Sequence, residues 1–392
     1  MLVTILVFLL ILSVLVVIHE LGHYLVAKKL GIKVEEFGYG FPPRVWGRKI
    51  GETLYSINLL PIGGFVKLFG EDEAGGGRVD LTDKSKTIKG KDRDRAFFSR
   101  SVGQRAMVVV AGVVMNVILA VVIYYIFLGL SGFKTELPLL SDHKFHFVND
   151  QVRSDVYIQS IQDNSPAEEA GIPPLARVDE INGKTVESAD AFSKIVTSST
   201  GKEITLRLTN PQTQEKTTKT VTPRVPENKD QGAVGVGLYE MRSVILSYDT
   251  PAQRIFSGFS HPYNLMTYNF SLMGELIATS IRDRDAAPIG EGVAGPIGIY
   301  SLVGTIVEIP DAKERVLQLL NLAGILSISL AVFNILPIPA LDGGRLFFIL
   351  IEGVTRKKVN PKFETMAHTV GMIVLLGLII LVTFKDVFQF LL

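Results

Sequence analysis

Val17-Ile18-His19-Glu20-Leu21-Gly22-His23 is the stretch that decides the fold and chemistry of this sequence. It lies inside an apolar run from Leu2 to about Ala27. Histidines four residues apart lie on one face of a helix, where they can bind one metal ion, usually zinc. A glutamate beside them is suited to take a proton from metal-bound water. The alternative is a soluble helix with two hydrogen-bonded histidines, but ionisable residues in a membrane-length apolar run indicate function.

The composition sets limits on the class of protein. The chain has 392 residues, enough for two or three domains, and its hydrophobic fraction of 47% is high for a soluble protein. The net charge of +1 gives no electrostatic reason to expect a nucleic-acid partner. Because there are no cysteines, any metal must be held by His, Asp or Glu. The first apolar run lacks a basic leader and a small-residue cleavage site, so we interpret it as a retained helix rather than a signal peptide.

Apolar segments predict a polytopic α-helical membrane protein with about four transmembrane helices. Lysines and arginines cluster after the first and third segments, so the positive-inside rule places residues 31–105 in the cytoplasm and the N-terminus outside. The predicted spans are residues 1–30, 106–131, 316–346 and 366–392.

A β-hairpin is predicted at residues 38–70 of the cytoplasmic segment. Tyr55–Leu59 and Phe65–Leu68 have the composition of short strands, and glycines and prolines punctuate the region. It is either an ordinary cytoplasmic hairpin or a membrane-associated one that offers a strand edge to an extended substrate. The Gly-rich, charged stretch from Glu71 to Asp94 predicts a solvated loop.

Two polar residues in the predicted spans have roles that the sequence leaves open. Asn116, in the middle of the second span, either bonds a neighbouring helix or lines a substrate cavity. His368 begins the fourth span, and we interpret it as an interfacial residue rather than a ligand.

Residues 150–226 predict an extracytoplasmic α/β domain. Val156–Ile161 and Glu203–Leu208 read as strands, and Ser188 is the expected N-cap of a helix that continues to Thr197. The following segment, 245–300, is amphipathic at helical spacing. It either packs on the helical bundle or lies on the outer membrane surface.

The third span runs into Asn334-Ile335-Leu336-Pro337-Ile338-Pro339-Ala340-Leu341-Asp342-Gly343-Gly344-Arg345. This span enters from outside, so Asp342 arrives near the cytoplasmic face, at the depth of His19 and His23. No other His or Asp in the sequence is better placed to complete the site. Asp342 is therefore the expected third metal ligand.

The domain at 150–226 resembles a bacterial PDZ domain. The resemblance rests on Ser165-Pro166-Ala167, Ala170-Gly171 and Ile181-Asn182-Gly183. Leu175-Ala176 stands where such domains usually have Gly-Asp. The domain would bind a peptide by strand addition or serve only as a steric cap.

Three segments together resemble the site-2 protease family of intramembrane zinc metalloproteases, in its RseP-like bacterial branch. They are His19-Glu20-Leu21-Gly22-His23, Gly63-Gly64-Phe65-Val66-Lys67, and Asn334 through Asp342-Gly343-Gly344.

This resemblance implies roles for particular residues. Zn²⁺ would be held by His19, His23 and Asp342, and Glu20 would be the catalytic base. Contacts with the substrate backbone would come from Asn334 and from the hairpin residues Gly38, Gly40, Phe41, Gly63 and Gly64.

The resemblance also implies a setting and a substrate class. The enzyme would lie in the bacterial inner membrane, with its active site toward the cytoplasm and its PDZ-like domain outside. Surrounded by the lipid bilayer, it would cleave single-pass membrane proteins such as anti-sigma factors or leftover signal peptides, within the transmembrane segment.

Two other functions compete with this one. An inactive PDZ adaptor with a structural metal would need a fourth protein ligand, for which the sequence has no obvious candidate. A metal transporter predicts more intramembrane ligands and no base next to a ligand, which the presence of Glu20 argues against.

Overall fold

A computed structural model describes residues 1–71, 90–210, 215–226, 231–284 and 294–390 of the chain. They form two compact units, one made of Met1–Gly132 with Ile255–Leu392 and the other of Phe133–Arg254. Most of the predicted solvated loop at 71–94 falls outside the described residues.

The helices and strands follow one another in a helix–hairpin–helix, α/β, helix order. They are α1 (Leu2–Lys29), β1 (Val34–Ile50), β2 (Thr53–Leu68), α2 (Val102–Leu130), β3 (Lys134–Pro138), β4 (Asn149–Ile161), α3 (Pro166–Glu169), β5 (Arg177–Ile181), β6 (Lys184–Thr185), α4 (Ala189–Ser198), β7 (Ile204–Thr209), β8 (Lys216–Val221), β9 (Val236–Ser247), α5 (Pro251–Asp283), α6 (Pro296–Val307), α7 (Ala312–Ile335), α8 (Asp342–Thr355) and α9 (Pro361–Phe390).

Within the described ranges, four helices are long and apolar enough to cross a membrane, and all four, α1, α2, α7 and α9, belong to the first unit. This confirms the predicted number of spans. The third span is shorter than predicted, because α7 ends at Ile335 and a separate helix, α8, begins at Asp342. Pro337 and Pro339 lie between them, and proline cannot donate the backbone hydrogen bond that a continuous helix requires.

Helix α2 is the central helix of this unit and packs against α1, α7 and α8. Its side chains are apolar almost throughout, yet Asn116 is fully buried within it. Ser327 of α7 donates a hydrogen bond to the Asn116 carbonyl oxygen at 2.8 Å. A buried Arg105–Glu352 ion pair, with a nitrogen–oxygen distance of 2.5 Å, joins α2 to α8.

Strands β1 and β2 are longer than the short strands predicted from the sequence. Both predicted strands, Tyr55–Leu59 and Phe65–Leu68, belong to the single strand β2. Irregular register lets the two long strands pair along more than one ladder, so that Tyr39 lies beside both Gly64 and Ile57. Such folding back of bent strands is not visible in a local sequence pattern.

The hairpin is anchored to α1 at both ends. Tyr24 and Tyr55 share a hydrogen bond between their hydroxyls at 2.6 Å, and the hydroxyls of Ser13 and Tyr39 are also in contact. At the turn, hydrogen bonds from Arg95 and Lys28 lower the pKa of Glu52 to about 2. The hairpin is therefore fixed against the helix that carries the two histidines.

The second unit is built on a seven-stranded sheet with the order β3-β9-β4-β5-β7-β8, in which β6 pairs with β5. The structure contains the predicted strands at β4 and β7 and the predicted helix α4. As expected, the Ser188 hydroxyl caps α4 by accepting a hydrogen bond from the Ala191 N–H at 3.1 Å. The compact unit is larger than the predicted 150–226, because β3 and β9 add strands at both ends of the segment.

Helix α5 presents two very different faces. Buried side chains, including His261 and Asn264, lie on one face, and His261 packs edge-on against Tyr124 of α2 with ring centroids 4.7 Å apart. On the other face, Ile255 and Phe259 remain 65% and 60% exposed. The helix thus packs on the helical bundle, which is the first of the two alternatives predicted for this segment. Its exposed face is nevertheless apolar enough to contact lipid.

The turn before β5 contains a residue in an unfavourable backbone conformation. Leu175, at the position where Gly-Asp would be usual, has a φ of 63°, in the left-handed region, and its side chain is 60% exposed. The chain therefore still makes the turn with Leu175-Ala176 in place of Gly-Asp. The consequence of this replacement is conformational strain at Leu175, not loss of the turn.

We expect Leu175→Gly to raise the free energy of unfolding of the second unit by about 0.5–1 kcal/mol, because glycine relieves the left-handed strain at the cost of a more flexible unfolded chain. Calorimetry of the purified full-length protein measures this change. Val225→Gly is the control, since Val225 is also exposed and does not have a positive φ. A lower melting temperature for Leu175→Gly than for wild type would contradict the prediction.

Candidate active site

Three predicted ligands meet where α1 passes the start of α8. Asp342 Oδ2 lies 3.0 Å from His19 Nε2 and 3.2 Å from His23 Nε2, and the two Nε2 atoms are 3.2 Å apart. The histidines converge because they are one helical turn apart on α1. Asp342 reaches them because it is the first residue of α8, directly after the proline-containing loop.

The spacing of the three donor atoms fits a tetrahedral zinc ion. Zinc binds imidazole nitrogen and carboxylate oxygen at about 2.0–2.2 Å, so tetrahedral donors lie about 3.3–3.5 Å from one another. The observed separations of 3.0–3.2 Å are within a few tenths of that range.

Hydrogen bonding sets the histidine tautomers in the form that a metal needs. His23 Nδ1 lies 2.8 Å from the Val108 carbonyl oxygen, so this nitrogen must carry the proton and Nε2 presents its lone pair. His19 Nδ1 lies 3.1 Å from Asn116 Nδ2, while Asn116 Oδ1 has no hydrogen-bond partner among the described residues. Turning this amide by 180° exchanges two atoms of similar size and gives Oδ1 a partner, because the Nδ1–H of His19 then donates to it and the second Nε2 is also free.

Two lone pairs and a carboxylate oxygen therefore face one point in a buried place. Without a cation they would repel one another, and the low dielectric of the interior would strengthen that repulsion. The donor set thus fits zinc on chemical grounds as well as by distance.

Gly112 of α2 provides the space that the two imidazoles occupy. A Cβ at this position would lie 2.4 Å from His23 Nε2 and 2.7 Å from the nearest His19 atom. Gly343 and Gly344 have a similar role beneath Asp342, since a Cβ on either would come within 2.5 Å of a carbonyl oxygen of the preceding loop. The first turn of α8 can therefore pack tightly under this loop.

Glu20 shares a cavity of about 350 Å³ with His23 and Asp342. The hairpin forms part of its wall, where Gly64, Phe65 and Val66 lie along the cavity. The Gly64 backbone is so close that a Cβ there would lie 3.2 Å from Glu20 Cγ. The Glu20 carboxylate, two of the three metal donors and a strand edge thus line one cavity.

The remaining predicted substrate-binding residues do not line this cavity. Gly40 and Gly63 adopt φ values of 79° and 90° in the bends of the hairpin, and the ring of Phe41 lies against Gly63. Gly38 packs against the ring of Phe65. Asn334 is buried in the last turn of α7. Their contact with substrate remains a prediction.

His368, interpreted from the sequence as an interfacial residue rather than a ligand, is buried against the loop that precedes Asp342. The side chain is only 1% exposed, and its Nδ1 accepts a hydrogen bond from the Ala340 N–H at 3.0 Å. Ala340 has a φ of 80° and lies two residues before Asp342. His368 therefore supports the loop that delivers the third ligand, and an ionisable residue within an apolar span was the available signal.

Glu71 was wrongly predicted to lie on a solvated surface. Its side chain is 7% exposed and pairs with Arg345 at 2.9 Å, and both residues line the cavity. The prediction rested on the charged, Gly-rich composition of the segment. Composition does not show that Glu71 comes just after the hairpin strand that lines the cavity.

We expect Gly112→Ala to lower zinc affinity by at least about tenfold, because the added methyl group displaces the imidazoles from the metal. Metal analysis of the purified protein gives zinc bound per chain. Gly129→Ala, on the same helix but with open space around its Cβ, should keep full zinc content. Equal zinc affinity in the two variants would exclude this role for Gly112.

Asn116→Leu should weaken zinc binding by about 10–100-fold, because His19 loses the acceptor that holds its proton on Nδ1. Asn116→Asp keeps such an acceptor and should retain zinc. Competition with a chelator measures both affinities. Loss of zinc from the Asp variant, or its retention in the Leu variant, would show that Asn116 does not act through a hydrogen bond to His19.

Comparisons with known proteins agree with this geometry. The model of peptidase family M50 matches residues 7–378. A Clostridium perfringens protein with the provisional name of zinc metalloprotease is 33% identical over 375 residues, covering 96% of each chain. The zinc metalloprotease RasP of Bacillus licheniformis is 30% identical over 458 aligned residues, covering 98% of each chain, and that of Geobacillus kaustophilus is 27% identical, covering 98% of this chain and 97% of its own.

Proposed function

Because this chain belongs to peptidase family M50 and is a zinc metalloprotease of the site-2 protease type, we propose that it hydrolyses a peptide bond within the transmembrane segment of single-pass membrane proteins. The observation that carries this proposal is the position of the site. Two of its three metal donors and its carboxylate base are on α1, a helix apolar enough to span a membrane.

The reaction divides between the metal and the residues of the chain. Zinc held by His19, His23 and Asp342 would polarise the scissile carbonyl and lower the pKa of the attacking water. Glu20 accepts the proton as the water oxygen bonds to the carbonyl carbon, and returns it to the nitrogen as the carbon–nitrogen bond breaks. Asn116 and the Val108 carbonyl oxygen keep the imidazoles oriented throughout.

The hairpin provides a way to hold an unwound substrate. A transmembrane helix satisfies its own backbone hydrogen bonds, so a segment unwound for cleavage needs new partners at membrane depth. The Gly64–Leu68 part of β2 pairs with β1 along one edge, and its first residues line the cavity. A substrate strand added to the other edge would have its backbone groups paired beside Glu20.

The arrangement in the membrane follows from the same proposal. The chain is a bacterial membrane protein, with its N-terminus and second unit outside and its metal site toward the cytoplasmic face. The second unit would act as a PDZ-like dock or size filter that admits substrates whose outer part is already trimmed. Suitable substrates are anti-sigma factors or remnant signal peptides.

An inactive adaptor with a structural metal is the second candidate. A closed structural zinc site has four protein ligands. Within the described residues the group that can hold a metal consists of His19, His23 and Asp342, beside a cavity large enough for water. A site with three protein donors, which would leave the fourth zinc position open to water or substrate, favours the protease over the adaptor.

Glu20→Gln should lower the cleavage rate by about 10²–10⁴-fold, because the amide cannot accept a proton from water. The assay uses purified protein in detergent and a reporter with one transmembrane helix, with zinc measured in both proteins. The variant should retain its zinc, since Glu20 is not one of the three donors. Equal cleavage by wild type and variant would exclude Glu20 as the base.

A further inference from the structure

The catalytic cavity contains a cation that the reaction does not use. Arg345 lies one turn into α8, three residues after Asp342, and its side chain is 29% exposed. A guanidinium stays charged at every relevant pH, so this charge cannot be removed by deprotonation. Arg345 will pair with whichever carboxylate is best placed.

Several carboxylates compete for this guanidinium. Burial acts to lower the pKa of Arg345, but the carboxylates of Glu71, Asp342, Glu20 and Glu364 outweigh it and raise that pKa above its usual range. Two of these four, Glu20 and Asp342, belong to the catalytic machinery proposed above. A direct ion pair with either would take away the charge that it needs as a base or as a ligand.

Glu71 is the carboxylate that Arg345 contacts, at 2.9 Å. Its backbone is fixed just after β2, where the Glu71 N–H donates to the Leu68 carbonyl oxygen at 3.1 Å. The pair therefore joins the end of the substrate-binding strand to the helix that begins with Asp342. Ion pairs withdrawn from water often add little net stability compared with apolar residues, so this partly buried pair points to a role beyond stability.

We propose that Glu71 is a positioning residue that holds the Arg345 guanidinium away from Glu20 and Asp342, so that both carboxylates remain available for catalysis. This inference rests on the proposed function of the site. It predicts that the loss of activity and zinc affinity on replacing Glu71 is caused by Arg345. Replacing Arg345 as well should therefore restore both.

The test compares Glu71→Gln, Arg345→Gln and the double variant for cleavage of the single-helix reporter and for zinc affinity. Glu71→Gln should lower kcat by at least about tenfold with KM changed by less than about threefold, and should weaken zinc binding as Arg345 turns toward Asp342. Replacing Arg345 by Gln in that variant should recover most of the lost kcat and zinc affinity.

The Arg105–Glu352 pair provides a matched control. It is more deeply buried than the Arg345–Glu71 pair and is also attached to α8, but its residues do not line the cavity. Glu352→Gln should reduce folded yield or melting temperature while kcat per bound zinc stays within about threefold, and Arg105→Gln should bring no gain in kcat.

A double variant no better than Glu71→Gln, or a Glu71→Gln protein with wild-type kcat and zinc affinity, would overturn the inference. Glu71→Asp provides a second test that does not require the neutral variant to fold. It keeps the charge and should retain at least about one third of the wild-type kcat, so a tenfold loss would also count against the proposal. Failure of the proposed function would appear separately, as unchanged cleavage by Glu20→Gln.

Discussion

The structure depends on one electrostatic constraint, which is that three electron-rich atoms lie within 3.2 Å of one another inside a helical bundle. Their mutual repulsion is balanced by a positive charge bound among them, either a metal ion or a proton on one imidazole. Several otherwise separate features serve this arrangement. Gly112 makes room for the imidazoles, Asn116 and a backbone carbonyl fix their protons, and the loop before Asp342 ends the third span where the ligand is needed.

The hairpin meets a second constraint, set by the lipid. Backbone groups at membrane depth must be paired, so a strand can approach the site only if other strands and helix α1 cover it. The repeated pairing of β1 with β2 and the contacts of Tyr55 and Tyr39 with α1 provide that cover. Gly64 then lets the strand pass close to Glu20 without a side chain between them.

The sequence predicted those parts of the site that follow from local spacing or from membrane depth. His19 and His23 are one helical turn apart, and Asp342 was assigned from the side of the membrane that its span reaches. Glu71, Arg345 and His368 could not be assigned in this way, because their partners are 28 to 274 residues away and only packing brings them together. The long strands were missed because prolines and glycines in β1 look like turns unless the register is known.

The number of protein donors connects this geometry with function. A fourth protein ligand would close the metal site and leave Glu20 without a substrate, whereas three donors would leave one position free beside the cavity that Glu20 and the strand edge line. The other charges near that position must then be kept from occupying it or from neutralising the base. Among the described residues that line this cavity, Arg345 is the one permanent cation, and its partner Glu71 is attached to the strand that would hold the substrate. Substrate binding and charge placement are thus coupled through the same short segment of chain.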